Sequence, residues 1–175
     1  MIKLLALLIS VIMLTSPMMA HSDIGKSYKV PMVRTPIGQL ELAAVLRNGH
    51  YAVFKKFPSD KRLAVGWAQV AIENGQGYHT FNHNLGNINS AKTRPYYVKH
   101  HRFKSHKDFM DGAADYWKIV NGMCKSSLVA FDAGAPRWAA YRLHACGYYG
   151  ADPTEYGKAM QQLYTKAKTK LIPQL

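Results

Sequence analysis

Apolar residues recur every three or four positions along most of the chain, a spacing typical of amphipathic helices. The first such stretch follows Thr35-Pro36, which is a helix-start signal, and it ends before Asn48-Gly49. A second stretch begins at Pro58-Ser59-Asp60 and ends at Asn74-Gly75. Both stretches predict helices, and Glu73 lies in the last turn of the second one.

Three more helices are predicted in the C-terminal half. Ser105 is a candidate N-cap for one of them, and Pro136 begins the next, which ends near Cys146-Gly147. The last helix has the clearest start, because Asp152-Pro153-Thr154-Glu155 combines a capping aspartate, a first-turn proline and an acid three residues after the cap. It is expected to run to about Leu171.

The segment between these two groups of helices has no helical periodicity. Residues 76–89 are dense in Gly, Asn and His, which predicts a loop. Residues 90–107 contain six Lys or Arg and no carboxylate, with tyrosines interleaved, and they predict a small β-hairpin or an irregular lobe. The fold class is therefore mostly α (α+β), a helical domain with one small lobe.

The N-terminus has the pattern of a secretory signal peptide. Lys3 precedes an apolar run from Leu4 to Leu14, a break at Ser16-Pro17 and the small-residue pattern Ala20-His21-Ser22. We expect residues 1–22 to be removed and residues 23–175 to form a single secreted or periplasmic domain. A retained N-terminal anchor is the alternative.

The net charge and the two cysteines indicate which binding partners and which compartment suit the chain. The chain carries 23 Lys and Arg against 10 Asp and Glu, a net charge of +13, and the leader holds only Lys3 of these charges. Such a basic domain attracts polyanions, and export argues against nucleic acid. Cys124 and Cys146 would be in an oxidising compartment, where they can form a disulfide; two buried thiols are the alternative.

Few side chains are candidates for acid catalysis. The sequence has three glutamates, Glu41, Glu73 and Glu155, and Glu155 belongs to a helix cap. Glu73 follows the apolar run from Val65 to Ile72, which can desolvate it and raise its pKa, and it precedes a loop that a bulky substrate can approach. A helix-end glutamate pointing into solvent is the alternative interpretation.

Several segments resemble one enzyme family. Residues 67–77, WAQVAIENGQG, resemble the AQAALESGWG segment of the glucosaminidase/FlgJ-like peptidoglycan hydrolases, which belong to the lysozyme-like superfamily. Residues 81–88, FNHNLGNI, are similar to the NNLFGIK element, with Asn87 as an insertion. Residues 102–105 are similar to the F-R-x-Y-x-S stretch, and residues 145–156, ACGYYGADPTEY, are similar to GGYATDPxY. The resemblance covers about residues 60–165.

The resemblance implies a lysozyme-like fold and an exported enzyme that cleaves β-1,4 glycosidic bonds of peptidoglycan, with Glu73 as the general acid. It places Tyr149 near that acid, where its hydroxyl would orient the acetamide of the sugar or the attacking water. The alternative role of Tyr149 is an aromatic that covers the core beside the last helix. The candidate substrate-binding residues are Asn82, Asn84, Tyr96, Tyr97 and Tyr148. Asn82 and Asn84 can equally fix the loop through its backbone.

One departure from the family leaves the reaction open. Residues 90–107 lack the second carboxylate that many members are thought to carry there, whereas Asp108 and Asp111 suit the first turn of the next helix. Glu73 can then act with the 2-acetamido group of the substrate, or in a lytic transglycosylase that forms 1,6-anhydro products. A third alternative is a non-catalytic cell-wall-binding or assembly protein with the same fold.

Other chemistry is not expected. His79 and His83 have the spacing of two metal ligands on a helix, but they lie in a predicted loop, so we expect no metal and no cofactor. The basic lobe, with Lys92 and Arg94 among its cations, suits either an anionic glycan or plain solvation. The expected partners are peptidoglycan strands, with other anionic envelope polymers as a further class, and the chain is expected to be a monomer.

Overall fold

The computed structural model describes residues 28–88, 96–98 and 104–175, and for residues 28–30 and 96–98 it describes the backbone alone. In chain order the elements are β1 Tyr28–Val30, α1 Gln39–Phe54, α2 Asp60–Glu73, β2 Tyr96–Val98, α3 Phe109–Gly122, α4 Leu128–Ala133, α5 Pro136–Ala145 and α6 Pro153–Lys166. A π-helical turn and a 3-10 turn extend α6 to Gln174. The mostly α fold class is confirmed. The predicted signal peptide, residues 1–22, lies outside the described residues.

Helix α2 is the central element of the fold. Every residue from Arg62 to Ala71 is buried, so this helix has no solvent face over nearly three turns. It packs against α1, α4 and α6. Its start agrees with the prediction, because the Ser59 hydroxyl accepts a hydrogen bond from the backbone N–H of Arg62 at 3.2 Å. The other helices therefore surround the helix that ends at Glu73.

The bounds predicted for the first helix were wrong at both ends. Helix α1 begins at Gln39, after the extended N-cap Gly38, because the N–H of Thr35 is engaged outside the helix and donates to the carbonyl of Thr80 at 2.8 Å. It continues through Asn48-Gly49, because Gly49 serves packing instead of ending the helix. A Cβ on Gly49 would lie 2.5 Å from the Cβ of Ala113, so glycine lets α1 and α3 approach closely.

Two other details of the helices differ from prediction. Asp108, and not Ser105, caps α3, and its side chain accepts from the N–H of Asp111 at 2.8 Å. Helix α4 was not predicted, because its six residues are too few to give a clear period. The helices at Pro136 and Asp152-Pro153 begin where predicted.

The described part of the small lobe contains a parallel pair of strands. Tyr28 of β1 pairs with Tyr96 of β2, and Val30 with Val98. A hairpin joins antiparallel strands that are neighbours in sequence, whereas this partner comes from the N-terminal segment. The prediction for residues 90–107 was a small hairpin or an irregular lobe. It stays a prediction, because residues 89–95 and 99–103 of the lobe lie outside the described residues.

Cys124 and Cys146 form a disulfide, which confirms the predicted pairing. Their Cα atoms are 5.3 Å apart, and the bridge joins the segment after α3 to the end of α5. The bond is compatible with an extracellular or periplasmic location. Within the described part of the chain, no helix has both the length and the apolar character that crossing a membrane requires.

Removal of the disulfide is expected to destabilise the domain. The bridge joins cysteines separated by 22 positions, so the double substitution Cys124→Ala and Cys146→Ala should lower the free energy of unfolding by about 3 kcal/mol. Urea denaturation followed by circular dichroism measures this change. Reduced wild-type protein should unfold at the same urea concentration as the variant. Equal midpoints for oxidised and reduced wild type would contradict the prediction.

Candidate active site

The side chain of Glu73 lies half-buried at the C-terminal end of the central helix. Its Oε1 accepts a hydrogen bond from the hydroxyl of Tyr156, on the first turn of α6, at 2.7 Å. Its Oε2 has no hydrogen-bond partner among the described residues. One oxygen of the carboxyl is therefore fixed by a donor, and the other remains available to a ligand.

Burial raises the pKa of the Glu73 carboxyl above its ordinary value. The hydrogen bond from Tyr156 acts in the opposite direction, because a donor stabilises the carboxylate and lowers the pKa. Burial is the larger effect, so the pKa of the group is raised overall. Glu73 thus retains its proton to a higher pH than a solvated glutamate does, as a general acid requires.

Four tyrosines surround the acid. Burial raises the pKa of each, and the charge of Glu73 adds to the rise, so all four are neutral phenols at physiological pH; they are Tyr116, Tyr148, Tyr149 and Tyr156. Their hydroxyls have different partners. The hydroxyl of Tyr116 donates to Oε1 of Gln69 at 2.6 Å, and only that of Tyr156 donates to Glu73.

The hydroxyl of Tyr149 is engaged elsewhere. It donates to the backbone carbonyl of Ala140 at 2.8 Å, so it points toward α5. The ring of Tyr149 stacks on that of Tyr156, with centroids 3.8 Å apart and planes inclined by 12°. Tyr149 therefore contacts the acid indirectly, by supporting the tyrosine that bonds to it. The catalytic role of the Tyr149 hydroxyl stays a prediction.

Asn82 and Asn84 use their amide groups to fix the loop. The Oδ1 of Asn82 accepts from the N–H of Val33 at 2.9 Å, and its Nδ2 donates to the carbonyl of Pro31 at 3.0 Å. The Nδ2 of Asn84 donates to the carbonyl of Ile88 at 2.9 Å, and its Oδ1 accepts from the N–H of the same residue. Both side chains are buried. These hydrogen bonds support one of the two predicted roles, in which the asparagines fix the loop. Contact of either asparagine with substrate stays a prediction.

The remaining predicted binding residues lie in two places. Tyr148 donates its hydroxyl to the carbonyl of Gly86 at 3.2 Å, and a Cβ on Gly86 would collide with that hydroxyl. Tyr148 therefore joins the α5–α6 connection to the loop that follows α2. Tyr96 and Tyr97 lie in β2, where the backbone alone is described.

The loop after Glu73 returns to the end of α2. Gly75 and Gln76 take left-handed backbone conformations, with φ of 58° and 60°, which turn the chain sharply. Asn87, which the family pattern lacks, is left-handed as well, and its Nδ2 donates to the backbone carbonyl of Glu73. The inserted residue thus satisfies a carbonyl that the helix end leaves without an intrahelical partner.

A hollow of about 210 Å³ lies beside this turn. Its lining consists of Pro36, Ile37, Gly38, Gln39, Gln76 and Tyr78. The Oε1 of Gln76 accepts from the Nε2 of Gln39 at 3.3 Å and from the Nζ of Lys166 at 2.5 Å. Glu73 is not among the lining residues, so this hollow is adjacent to the acid's helix end and separate from its carboxyl.

Within the described residues, no second carboxylate contributes to the pKa of Glu73. Asp108 caps α3, and Asp111 lies 3.7 Å from Nδ1 of His106. Asp115 forms an ion pair with Lys104. Residues 89–103 contain no Asp or Glu in the sequence. The candidate site is therefore built on one carboxyl group and its tyrosine partner.

Sequence reasoning missed Tyr156. This residue lies in the quoted stretch 145–156, but the interpretation of that stretch used its helix cap and Tyr149 instead. A signal was present: Tyr156 comes one turn after the capping Asp152, on the face of α6 that also contains Met160 and Tyr164, which predicts a buried position. The sequence does not show that its hydroxyl meets a carboxyl group from another helix.

The substitution Glu73→Gln is expected to stabilise the protein at neutral pH. The pKa of Glu73 is ordinary in the unfolded chain and raised in the folded one, so wild type loses stability as the pH rises from the unfolded pKa through the folded one. The substituted glutamine cannot ionise, and the gain should be about 1.4 kcal/mol for each pH unit of the rise. Thermal unfolding between about pH 3.5 and pH 8, a range that brackets an ordinary glutamate pKa, measures it.

The gain should vanish at the acid end of this range, where both forms are neutral. The matched control is Glu41→Gln on the exposed face of α1, which is expected to change stability by less than about 0.5 kcal/mol. A Glu73→Gln variant that is less stable than wild type at neutral pH would contradict a raised pKa.

Comparison of the chain with family models, with curated proteins and with solved structures finds no match. The resemblance to the glucosaminidase/FlgJ-like family therefore depends on the quoted motifs. The function of the protein is therefore inferred from the geometry of the candidate site.

Proposed function

We propose that the protein is an exported glycoside hydrolase that cleaves β-1,4 bonds in the glycan strands of peptidoglycan, with Glu73 as its general acid. The observation that carries the proposal is a half-buried glutamic acid whose pKa is raised by burial and whose Oε1 is held by Tyr156. Its unpartnered Oε2 is the atom that would present the proton. The resemblance of residues 67–77 to the acid-bearing segment of the family supports the same assignment.

The first step is proton transfer to the bridging oxygen. Glu73 gives its proton to the glycosidic oxygen, the bond from this oxygen to C1 breaks, and the bonding electrons leave with the oxygen. Glu73 becomes a carboxylate in a partly desolvated position. The hydrogen bond from Tyr156 stabilises that charge, so the Tyr156 hydroxyl contributes more once the proton has been transferred.

A single acid favours assistance by the substrate. Catalysis by two carboxylates needs a partner about 5–9.5 Å from the acid, and the described carboxylates next to the lobe cap a helix or pair with a cation. In the proposed route, the carbonyl oxygen of the 2-acetamido group bonds to C1 as the leaving group departs. Water then attacks C1, the bond from C1 to the acetamido oxygen breaks with its electrons returning to the acetamido group, and the water gives a proton to the Glu73 carboxylate, which restores the acid.

A lytic transglycosylase is the second candidate, and the same observation favours it. With one acid and no partner carboxylate among the described residues, the 6-hydroxyl of the sugar can attack C1 in place of water. It displaces the acetamido oxygen, gives its proton to the Glu73 carboxylate and closes a 1,6-anhydro ring. Mass analysis of the fragments separates the two reactions, because hydrolysis adds one water per bond cleaved. A non-catalytic wall-binding protein would release no fragments.

The proposed location and substrate agree with two properties of the chain. The Cys124–Cys146 disulfide is compatible with an oxidising compartment outside the cytoplasm. The net charge of +13 favours encounter with a polyanion, and cell-wall glycans carry carboxylates. Both properties support the proposal without specifying which bond is cut.

Loss of the acid is expected to slow lysis strongly. Glu73→Gln retains the shape and removes the proton, and general acid catalysis contributes about 10²–10⁴-fold to a rate, so clearing of purified cell walls should slow by that factor. Turbidity measures it, with Glu41→Gln as the control that retains activity. Undiminished lysis by Glu73→Gln would favour the non-catalytic alternative.

Loss of the Tyr156 hydroxyl is expected to shift the pH profile. Tyr156→Phe removes the hydrogen bond that lowers the pKa of Glu73, so this pKa should rise further. A net hydrogen bond of about 1 kcal/mol corresponds to a rise of somewhat less than one pH unit in the alkaline limb of kcat. The maximal rate should fall as well, because the carboxylate product loses its donor. An unchanged alkaline limb would contradict the role of Tyr156.

A further inference from the structure

We propose that the solvent face of α5 is a binding platform for a carboxylate-bearing polysaccharide strand, with Trp138, Tyr141 and Arg142 as its principal contacts. This inference deepens the proposed function, on which it depends for the identity of the glycan. It assigns a binding surface outside the carboxyl site itself.

The three side chains share one side of the helix. Trp138 is followed three and four positions later by Tyr141 and Arg142, so all three face the same direction, away from the buried residues Ala139 and Leu143. Trp138 is 40% exposed and Tyr141 is 48% exposed. Large aromatic rings that cluster on a solvent face leave apolar area in water, which is typical of binding surfaces.

The rings are held in place before any ligand arrives. The guanidinium carbon of Arg142 lies 5.3 Å from the centroid of the Trp138 ring. The hydroxyl of Tyr141 is hydrogen-bonded to Oγ1 of Thr154, at the start of α6, at 3.0 Å. A platform that is already ordered loses little conformational entropy when a sugar stacks on it.

Contacts connect the platform to the acid. The hydroxyl of Tyr149 donates to the backbone carbonyl of Ala140, the residue that precedes Tyr141 in α5, at 2.8 Å. Tyr149 in turn stacks on Tyr156, which bonds to Glu73. Tyr156 is itself buried, so these contacts bring α5 near the acid through the protein interior. In the proposal, a glycan strand bound at Glu73 continues over the surface onto α5, a helix about 15 Å long.

The charges favour an anionic strand. Arg142 and Arg137 are exposed on α5, and no carboxylate among the described residues forms an ion pair with either. The two acids at the start of α6 already have partners: Asp152 accepts the backbone N–H groups of Thr154 and Glu155, and Glu155 pairs with Lys158 at 2.7 Å. The cations therefore remain available to carboxylates of the glycan.

The experiment measures binding of the full chain to insoluble peptidoglycan by co-sedimentation, in the cold and within minutes, in a Glu73→Gln background. Addition of Trp138→Ala should weaken binding about tenfold, as expected for the loss of one central aromatic contact. The matched control is Phe57→Ala. Phe57 is 50% exposed and has Arg47 at 4.4 Å from its ring centroid, so it is a similar aromatic–cation pair on another face.

A second variant tests the charge. Arg142→Gln should reduce the preference for peptidoglycan over chitin, whose acetylated sugars are neutral, and should leave chitin binding unchanged. Thermal unfolding of each variant confirms that it is folded. The proposal is overturned if Trp138→Ala binds as tightly as Phe57→Ala, or if the parent Glu73→Gln protein does not bind walls.

Failure of this proposal is distinguishable from failure of the proposed function. If Glu73→Gln alone continues to lyse walls, the acid assignment fails, whereas the binding ratio between Trp138→Ala and Phe57→Ala still reports on the platform. If lysis requires Glu73 and that ratio is one, only the platform fails. Self-association of the chain that Trp138→Ala abolishes, with wall binding unchanged, would assign the surface to a second copy and overturn the proposal.

Discussion

The hydrogen bond between Tyr156 and Glu73 is the contact on which the rest of the candidate site depends. It joins the end of the central helix α2 to the first turn of α6, two elements separated by 83 positions in the chain. Burial at this junction raises the pKa of Glu73, and the hydrogen bond from the Tyr156 hydroxyl makes that rise smaller. The hydrogen bond goes to Oε1 of the carboxyl group. Loss of the Tyr156 hydroxyl would leave a desolvated carboxyl group without its donor, which is costly in a protein interior.

The surroundings can be understood as support for that junction. Tyr149 stacks on Tyr156, Tyr148 holds the α5–α6 connection to Gly86, and Asn87 bonds to the backbone carbonyl of Glu73. The asparagines of the loop use their amides in the same way, as backbone partners that fix left-handed turns. The disulfide at the end of α5 restrains the connection that carries both Tyr148 and Tyr149. On the side of the helices, the site is therefore held by several side-chain and backbone contacts and by one covalent bridge.

Much of the fold was predictable from periodicity and caps, because these are local signals. Ser59, Pro136 and Asp152 mark helix starts through their own side chains or rings, and the position of Glu73 followed from the stop at Asn74-Gly75. Contacts between distant segments were not predictable. Asn48-Gly49 is typical of a helix end, but Gly49 lets two helices pack closely. The strand that pairs with β2 comes from the N-terminal segment. The residue that donates to Glu73 is a tyrosine on another helix.

The central claim is that Glu73 is a partly buried acid that holds its proton unusually well, and a direct titration tests it. Carbon-13 labelling of the glutamate side chains gives few carboxyl resonances, because the sequence has three glutamates, so the signal of Glu73 can be assigned by comparison with Glu73→Gln. The account predicts a midpoint above the ordinary value for a glutamate. A midpoint at or below that value would contradict it.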